Sequence, residues 1–354
     1  MKRGLIGKRK RMCRYFLRGG LSLILLAGLS PLLVASGQFK GYVIGEYYLV
    51  GQHHDEDFQG RHGFWFRRIY FTYDRSLAKE VKMRLRLEMN SPGDFTSSLP
   101  LTPVVKDAYL SFKVFRQLIT VGLQPTPTFD QIEKIWGYRA LEKTPVDLYR
   151  LRSARDFGLA IKGSLSQRYQ VEYTLMYANG SAIRGEINRG KMFYARLNTQ
   201  PWPGFYVELY GDYETQADQR RAWFGQGFAA FQGKWGRIGL QIAHKHFSLN
   251  GQAFNYQIFS LFLVFPLKNR VELVSRLDVT AGNGFEEWFS GERVPYIPLA
   301  TNSPPRLVLG ALSWQVANDI WIIPNIKYVF YHSPHLLENP GNDFYLNLTW
   351  WYKF

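Results

Sequence analysis

Hydrophobic and polar residues alternate with a period of two along most of the chain. The clearest example runs from Val81 to Asn90, where apolar residues are separated by Lys82, Arg84, Arg86, Glu88 and Asn90. Successive side chains of a β-strand point to opposite faces, so this segment would have one apolar and one polar face. The last residues, Phe344 to Phe354, repeat the pattern with aromatic side chains. The pattern predicts long strands that meet hydrocarbon on one face and water on the other.

About sixteen segments of roughly ten alternating residues are separated by turn signals. They span 39–50, 63–74, 81–90, 104–112, 117–124, 156–165, 169–178, 191–200, 205–214, 223–233, 237–247, 254–265, 269–279, 306–316, 319–330 and 343–354. Short connections, such as 113–116, alternate with longer ones, such as 51–62 and 125–155, as periplasmic turns and external loops do in outer-membrane barrels. We predict an all-β fold, a transmembrane antiparallel β-barrel of about 16 strands that uses residues 37–354 as one domain.

Residues 1–36 differ from the rest and are typical of a secretory signal peptide. A basic stretch up to Arg18 precedes an apolar run from Leu21 to Val34, and small residues follow at Ala35 and Ser36. The run is about 14 residues long, which is shorter than the roughly 20 that a membrane-spanning helix needs. We expect cleavage after Ser36, export, and a final location in the bacterial outer membrane.

Removing this segment changes the apparent chemistry of the chain. The formal net charge is +16, and residues 1–36 hold eight basic and no acidic residues, which leaves 16 − 8 = +8. The single cysteine, Cys13, also lies there, so thiol catalysis and cysteine-based metal sites are excluded from the mature chain. Basic charge can indicate nucleic-acid binding, but export makes outer-membrane lipid and lipopolysaccharide phosphates the expected partners instead.

The third external connection, residues 125–155, is the longest. It spans about 31 residues, and a connection of more than about 15 residues is usually functional or disordered. It contains apolar residues that can pack, together with charges of both signs. The interior of a sixteen-stranded barrel is wide enough for an aqueous channel, so selectivity requires something to narrow it. We expect residues 125–155 to fold inward as the constriction loop; a solvated surface loop is the alternative.

Three segments around this connection resemble the phosphate-selective porin O and P family. They are Thr120 to Pro127 (TVGLQPTP), Trp136 to Pro145 (WGYRALEKTP) and Ser153 to Gly158 (SARDFG). The aromatic C-terminal strand likewise resembles the last strand of outer-membrane barrels. The resemblance implies a passive homotrimeric diffusion channel for small anions such as phosphate, with the inserted loop at its constriction. The chain departs from the family because no complete ladder of lumen arginines aligns with it.

Candidate anion-binding residues lie on the predicted wall and on the loop. Patches of arginine and lysine attract anions, and guanidinium groups suit bidentate phosphate binding. The candidates are Arg68, Lys82, Arg84 and Arg86 on two neighbouring strands, and Arg139, Lys143, Arg150 and Arg152 on the loop. We expect the first four to form a basic wall with few acids beside it, opposite the loop cations. The alternative is that these arginines pair with loop acids and hold the loop in place.

Other constellations indicate neither a metal site nor catalysis. The run His53 to Asp57 (HHDED) offers ligands for a divalent cation, but solvation is the simpler interpretation. His244 and His246 share one face of a strand and lack a third ligand. The Ser/His cluster from Tyr331 to His335 lacks a strand-anchored nucleophile and base that face each other. We therefore predict no enzyme activity, no metal and no cofactor.

Two other functions stay open at this stage. The first is a general or carbohydrate-type porin, in which Trp136, Tyr138 and Tyr149 provide a surface for sugar stacking. The second is a structural or receptor barrel without a conducting pore. The favoured interpretation is a porin for small hydrophilic solutes that prefers anions and is of the phosphate type.

Overall fold

The computed structural model describes residues 37–215, 221–249, 251–283, 294–332 and 339–354. The predicted signal peptide, residues 1–36, lies outside them. Within the described residues, no helix has the length and apolarity needed to cross a membrane.

Sixteen antiparallel strands close into one barrel in which each strand pairs with its neighbours in sequence and β1 pairs with β16. The strands are β1 Gln38–Gln52, β2 His62–Ala78, β3 Val81–Asn90, β4 Thr102–Val114, β5 Gln117–Pro125, β6 Arg155–Ser166, β7 Val171–Ala178, β8 Lys191–Trp202, β9 Phe205–Thr215, β10 Arg221–Gly233, β11 Gly236–Leu249, β12 Gln252–Lys268, β13 Val271–Gly282, β14 Pro305–Ala317, β15 Ile320–Tyr331 and β16 Asp343–Lys353. The predicted fold class and strand number are confirmed.

In the described parts of the connections there are three short helical segments. A 3-10 turn covers Glu56–Phe58 in the first external connection. The third external connection, residues 126–154 and called the third connection below, contains α1 (Asp130–Trp136) and α2 (Pro145–Leu148). Gly137 ends α1 with a φ of 71°, a left-handed conformation that glycine adopts without strain.

The β1–β16 pair closes the barrel with aromatic side chains laid over glycines. A Cβ atom on Gly45 would lie 2.2 Å from the ring of Trp350, and one on Gly41 would lie 2.5 Å from the ring of Phe354. The glycines of β1 therefore make room for the aromatic residues of β16. Closure leaves no unpaired strand edge, as lipid requires of a membrane sheet.

Two β-bulges change which side chains face the lumen. Between β1 and β2, Ile44 pairs with Arg68 while Gly45 pairs with Phe66, so Arg67 is an extra residue. Between β3 and β4, Arg86 pairs with Asp107 while Leu87 pairs with Val105, so Lys106 is extra. A bulge interrupts strict alternation. Arg67 and Lys106 thus turn inward beside Arg68 and Asp107, whereas strict alternation would place only Arg68 and Asp107 in the lumen.

The lumen is not uniformly polar, because the inner faces of β10 to β15 carry large apolar residues. Phe228, Phe262 and Leu309 are buried there, and they pack against Ile132 and Trp136 of α1. The third connection therefore covers an apolar inner wall. This packing favours a position of the connection inside the barrel rather than over its rim.

Candidate pore constriction

The third connection is held inside the barrel by polar side chains from the facing strands. Gln226 on β10 donates to the carbonyl oxygen of Thr128 at 2.7 Å. Arg276 on β13 donates to the carbonyl oxygen of Lys143 at 2.5 Å, and Lys245 on β11 donates to that of Leu151 at 3.1 Å. These bonds satisfy backbone carbonyls that would otherwise be buried without partners.

Glu142 is the main anchor of the third connection and is fully buried. Its carboxylate lies 2.9 Å from the Lys327 ammonium and 3.3 Å from the Arg67 guanidinium. Burial alone would raise the pKa of Glu142, but Lys327 and Arg67 outweigh burial and lower that pKa to about 2. Arg67 also donates to the carbonyl oxygen of Leu141 at 2.6 Å. The carboxylate is therefore charged at any physiological pH and joins the connection to β2 and β15.

A polar cavity of about 280 Å³ remains between the third connection and the wall formed by β2, β3 and β4. It is lined by Arg68, Glu88, Asn90, Lys106, Arg139, Lys143, Asp147, Arg150, Arg152, Ser153 and Ala154. Six of these side chains are basic and two are acidic, which gives a formal excess of four positive charges when every basic group is protonated. Three acids that are not among the lining residues also contact these cations: Glu133 contacts Arg139, and Asp212 and Glu214 contact Arg152. When they are counted, the excess falls to 4 − 3 = 1 positive charge.

Five of the eight candidate residues line this polar cavity, namely Arg68, Arg139, Lys143, Arg150 and Arg152. The other three, Lys82, Arg84 and Arg86, do not line it. They lie closer to the beginning of β3, which starts at Val81 directly after a short turn. The structure thus brings the loop cations together with one wall cation, and an anion-binding role for all eight stays a prediction.

The two acids of the polar cavity are both paired with cations. Glu88 lies 3.3 Å from Arg68 and 2.7 Å from Lys106. Asp147 lies 2.9 Å from Arg139. Burial would raise the pKa of Asp147, but Arg139 and then Lys143 hold it well below its ordinary value. Both acids are therefore neutralised locally rather than presented to a passing anion.

Lys143 forms no ion pair with any carboxylate of the described residues, unlike Arg68, Lys106, Arg139 and Arg152. Burial, followed by the nearby charges of Arg68 and Arg139, lowers its pKa to about 7, although Asp147 acts in the opposite direction. The charge of Lys143 therefore changes close to neutral pH.

The expected basic wall with few acids is wrong, because each arginine of that wall faces an acid. Arg84 lies 2.6 Å from Asp74, and Arg86 lies 3.3 Å from Asp107. Both pairs sit opposite each other in the sheet register, where unlike charges attract across neighbouring strands. The partners are strand acids, so the alternative of pairing with loop acids does not describe Arg84 and Arg86 either.

Even so, each acid of this wall contacts two cations. Glu88 contacts Arg68 and Lys106, Asp107 contacts Arg86 and Arg155, and Asp74 contacts Arg84 and Lys40. The distance from Lys40 to Asp74 is 2.5 Å. Each group therefore keeps one uncompensated positive charge, and the three groups follow the wall from the polar cavity toward the periplasmic turns.

Comparison with known proteins bears on the barrel as a whole. No protein-family model matches the chain, and no curated protein matches it. Solved structures do match. The anion-selective porin from Comamonas acidovorans has 11% identity and a TM-score of 0.64, with 90% of this chain and 99% of that chain covered. The outer membrane channel DcaP of Acinetobacter baumannii has 8% identity and a TM-score of 0.62, with 90% and 97% covered.

The fold is that of the outer-membrane porins. A further match is an in-vitro folded OmpT of Vibrio cholerae in a trimer form, with 10% identity, a TM-score of 0.57, and coverage of 90% of this chain and 99% of that chain. At such identities the similarity concerns fold alone. It supports the porin part of the sequence resemblance, and the phosphate-selective subfamily stays a prediction.

The aromatic residues proposed for sugar stacking are not available in this porin fold. Trp136, Tyr138 and Tyr149 are 1%, 3% and 1% exposed. Trp136 packs against Phe262 and donates from Nε1 to the carbonyl oxygen of Glu142 at 2.9 Å. The three rings pack between the third connection and the inside of the barrel. The prediction that they form a surface for sugar stacking is therefore wrong.

The remaining constellations fall in different places. His244 and His246 stack on the ring of Trp223, with centroid distances of 4.9 and 5.8 Å. In the cluster from Tyr331 to His335, residues 333–335 lie outside the described residues. His53 and His54 approach the carboxylate of Asp343 at the external rim, and Nδ1 of His53 also accepts a hydrogen bond from the backbone N–H of Asp55 at 2.9 Å.

The sequence interpretation missed Arg67, Lys106 and Glu142. A usable signal existed for the first two, because consecutive charged residues, Arg67–Arg68 and Lys106–Asp107, interrupt an otherwise alternating strand. Such a doublet indicates a bulge. Glu142 gave no comparable signal, since its partners are far away in the sequence.

Proposed function

We propose that this chain is an outer-membrane porin for the passive diffusion of small hydrophilic solutes and that it prefers anions. The observation that carries the proposal is the polar cavity, with six basic and two acidic lining side chains. The three groups of two cations around one acid extend the same sign of charge along the wall. Anion passage through this half of the lumen would meet an attractive potential along its length.

Phosphate is the favoured solute within this proposal. Arg68, Arg139, Arg150 and Arg152 bring four guanidinium groups to one cavity, and guanidinium binds phosphate oxygens in a bidentate manner. Arg68, Arg139 and Arg152 already contact carboxylates, so a phosphate ion would share these cations rather than replace their partners. Such sharing favours weak, reversible occupancy, which suits conduction better than tight binding.

The proposal includes the surroundings of the barrel. Residues 1–36 would be removed on export, so that residues 37–354 form the mature barrel with 125–155 as its constriction. Exposed Arg184 and Arg189 in the fourth external connection would contact lipopolysaccharide phosphates. The trimer form of one structural match supports a homotrimer. We propose no enzymatic role and no cofactor.

The test is the zero-current potential of the purified protein in a planar bilayer across a KCl gradient. We expect the sign for chloride preference, and we expect phosphate added to the bath to reduce the chloride current. The variant Lys106→Gln removes a cation that lines the polar cavity and should reduce the preference. The matched control Lys82→Gln removes a cation from the neighbouring strand that does not line it and should have little effect.

Three results would contradict parts of the proposal. Conductance without ion preference or phosphate block would indicate a general porin. Equal effects of Lys106→Gln and Lys82→Gln would show that the polar cavity does not set the preference. Absence of conductance would indicate a barrel without a pore, in which the inward third connection and the buried residues Tyr296 and Ile297 of the seventh external connection close the lumen.

A further inference from the structure

A cluster of possible metal ligands lies at the external rim, away from the polar cavity. His53 and His54 follow β1, and Asp343 begins β16. The Nδ1 atom of His54 lies 2.8 Å from Oδ1 of Asp343, and Nδ1 of His53 lies 4.0 Å from the same oxygen. One ligand atom from each residue lies within 4.8 Å of the others. The geometry thus brings two imidazoles and one carboxylate to a common point.

The cluster is buried, and part of its bonding capacity is unused. The side chains of His53 and Asp343 are 0% exposed, and that of His54 is 17% exposed. Among the described residues, Nε2 of His53 has no hydrogen-bond partner. A buried ring nitrogen without a partner is unfavourable. The partial exposure of His54 leaves a route by which an ion could enter.

The carboxylate of Asp343 is oriented by a neighbouring side chain. The hydroxyl group of Tyr331 donates to Oδ2 of Asp343 at 2.5 Å. Oδ1 accepts from the backbone N–H of His54 at 2.7 Å and lies 2.8 Å from Nδ1 of the same residue. The same hydroxyl group accepts a hydrogen bond from the backbone N–H of Ala300 at 3.2 Å, so its own position is fixed. Such outer contacts are typical of protein metal sites, where they hold a ligand in the required orientation.

We propose that His53, His54 and Asp343 bind one divalent cation of the zinc class. Two imidazoles and one carboxylate suit zinc and similar transition metals, whereas calcium prefers oxygen ligands only. Ligands of a tetrahedral zinc ion lie about 2.0–2.2 Å from the metal and hence roughly 3–3.5 Å apart. The observed separations of 2.8 and 4.0 Å lie on either side of this range. Nδ1 of His53 accepts a hydrogen bond from the backbone N–H of Asp55 at 2.9 Å, so its ring must give up this bond when the ion binds through that atom. A fourth position would be left for water.

The bound ion would connect two distant parts of the chain. His54 and Asp343 are separated by 289 positions and lie on either side of the β1–β16 pair that closes the barrel. The ion would therefore fasten the first external connection to the closing strand. This role is independent of ion passage through the polar cavity.

The experiment uses the untagged, folded barrel in detergent after treatment with EDTA. Cobalt(II) is titrated while its visible absorption is recorded, and zinc binding is measured by calorimetry. We expect one ion per chain. The substitutions His54→Gln and Asp343→Asn should each weaken binding by at least about tenfold, and Tyr331→Phe by about tenfold through loss of orientation. Zinc binding should also raise the unfolding temperature of the wild-type protein and not that of Asp343→Asn.

His246→Ala is the matched control, because His246 belongs to the other histidine pair and lies on β11. It should bind zinc as the wild type does. Heat-dependent gel mobility checks that each variant is folded. The proposal is overturned if the folded wild type binds neither cobalt nor zinc at one ion per chain, if His54→Gln and Asp343→Asn bind as tightly as the wild type, or if calcium binds more tightly than zinc.

Discussion

The ion preference of the pore should decrease as pH rises from 6 to 8, because Lys143 loses its charge in this interval. Its pKa is lowered to about 7, so the ammonium group is about 90% charged at pH 6 and about 10% charged at pH 8. A group with a lowered pKa is protonated below that value and neutral above it. The extra positive charge is therefore present at pH 6 and largely lost at pH 8.

The size of the effect follows from the dimensions of the polar cavity. A volume of about 280 Å³ places an ion a few ångströms from the lining side chains. At about 6 Å and an effective dielectric constant of about 40–80, one unit charge changes the energy of a monovalent ion by about 0.7–1.4 kcal/mol. When Lys143 loses its charge, the energy of an anion in the cavity rises by this amount, and the energy of a cation there falls by the same amount. The permeability ratio of chloride to potassium should thus fall by about sixfold or more at low salt.

The assay is the zero-current potential across a KCl gradient at pH 6, 7 and 8. Lys143→Arg keeps its charge throughout this range, so it should prefer anions at every pH. Lys143→Met is neutral throughout, so its preference should be low and independent of pH. Among the described residues, no histidine lines the polar cavity. If Lys143→Met retained the pH dependence of the wild type, Lys143 would not be its source and the reasoning would be refuted.

Three further substitutions test the anchor, the closing seam and the wall. Glu142→Gln leaves Arg67 and Lys327 buried without their shared carboxylate, which should lower the stability of the barrel by about 3–5 kcal/mol. Single-channel recordings should then show larger and noisier conductance. Glu142→Met combined with Lys327→Met should restore quiet channels, because Arg67 keeps Glu46 as a partner at 3.7 Å. Gly45→Ala should lower the temperature at which folded gel mobility is lost, because its Cβ would lie 2.2 Å from the Trp350 ring, whereas Gly63→Ala, with 3.5 Å to Tyr48, should change little. Asp74→Asn should increase chloride preference in the KCl gradient, because it frees Lys40 and Arg84 from their common acid; an unchanged potential would show that this part of the wall is outside the conduction path.

The barrel could be predicted from the sequence because one periodicity determines it. Alternation places apolar residues such as Leu85 and Leu87 on the lipid face, and the sum of such segments fixes the strand number. Alternation fails at Arg67 and Lys106, where a bulge adds one residue and reverses the expected face. These failures occur beside the candidate constriction, where they place additional cations.

The anchoring of the third connection could not be predicted, because its partners are remote in the sequence. Glu142 contacts Arg67 and Lys327, which lie 75 and 185 positions away. One sequence signal was nevertheless available. Between Phe254 and Phe265, apolar residues occur on both faces of β12, which a strand between lipid and water does not require. Such a strand indicates that another element packs inside the barrel.

The position of the polar cavity follows from a difference between the inner faces of the strands, which are apolar on β10 to β15 and charged on β2 to β4. The apolar side chains of the third connection pack against β10 to β15, where Phe262 and Leu309 lie. The unfilled part of the lumen therefore lies beside β2, β3 and β4, whose inner faces carry the paired charges. The backbone of Lys143 is bonded on both sides, by its N–H to Glu142 Oε1 at 3.0 Å and by its carbonyl oxygen to Arg276 at 2.5 Å. A substitution that loosens the packing of the third connection against β10 to β15 should therefore also displace Lys143. The packing of the connection and the charge at the proposed constriction are coupled in this way.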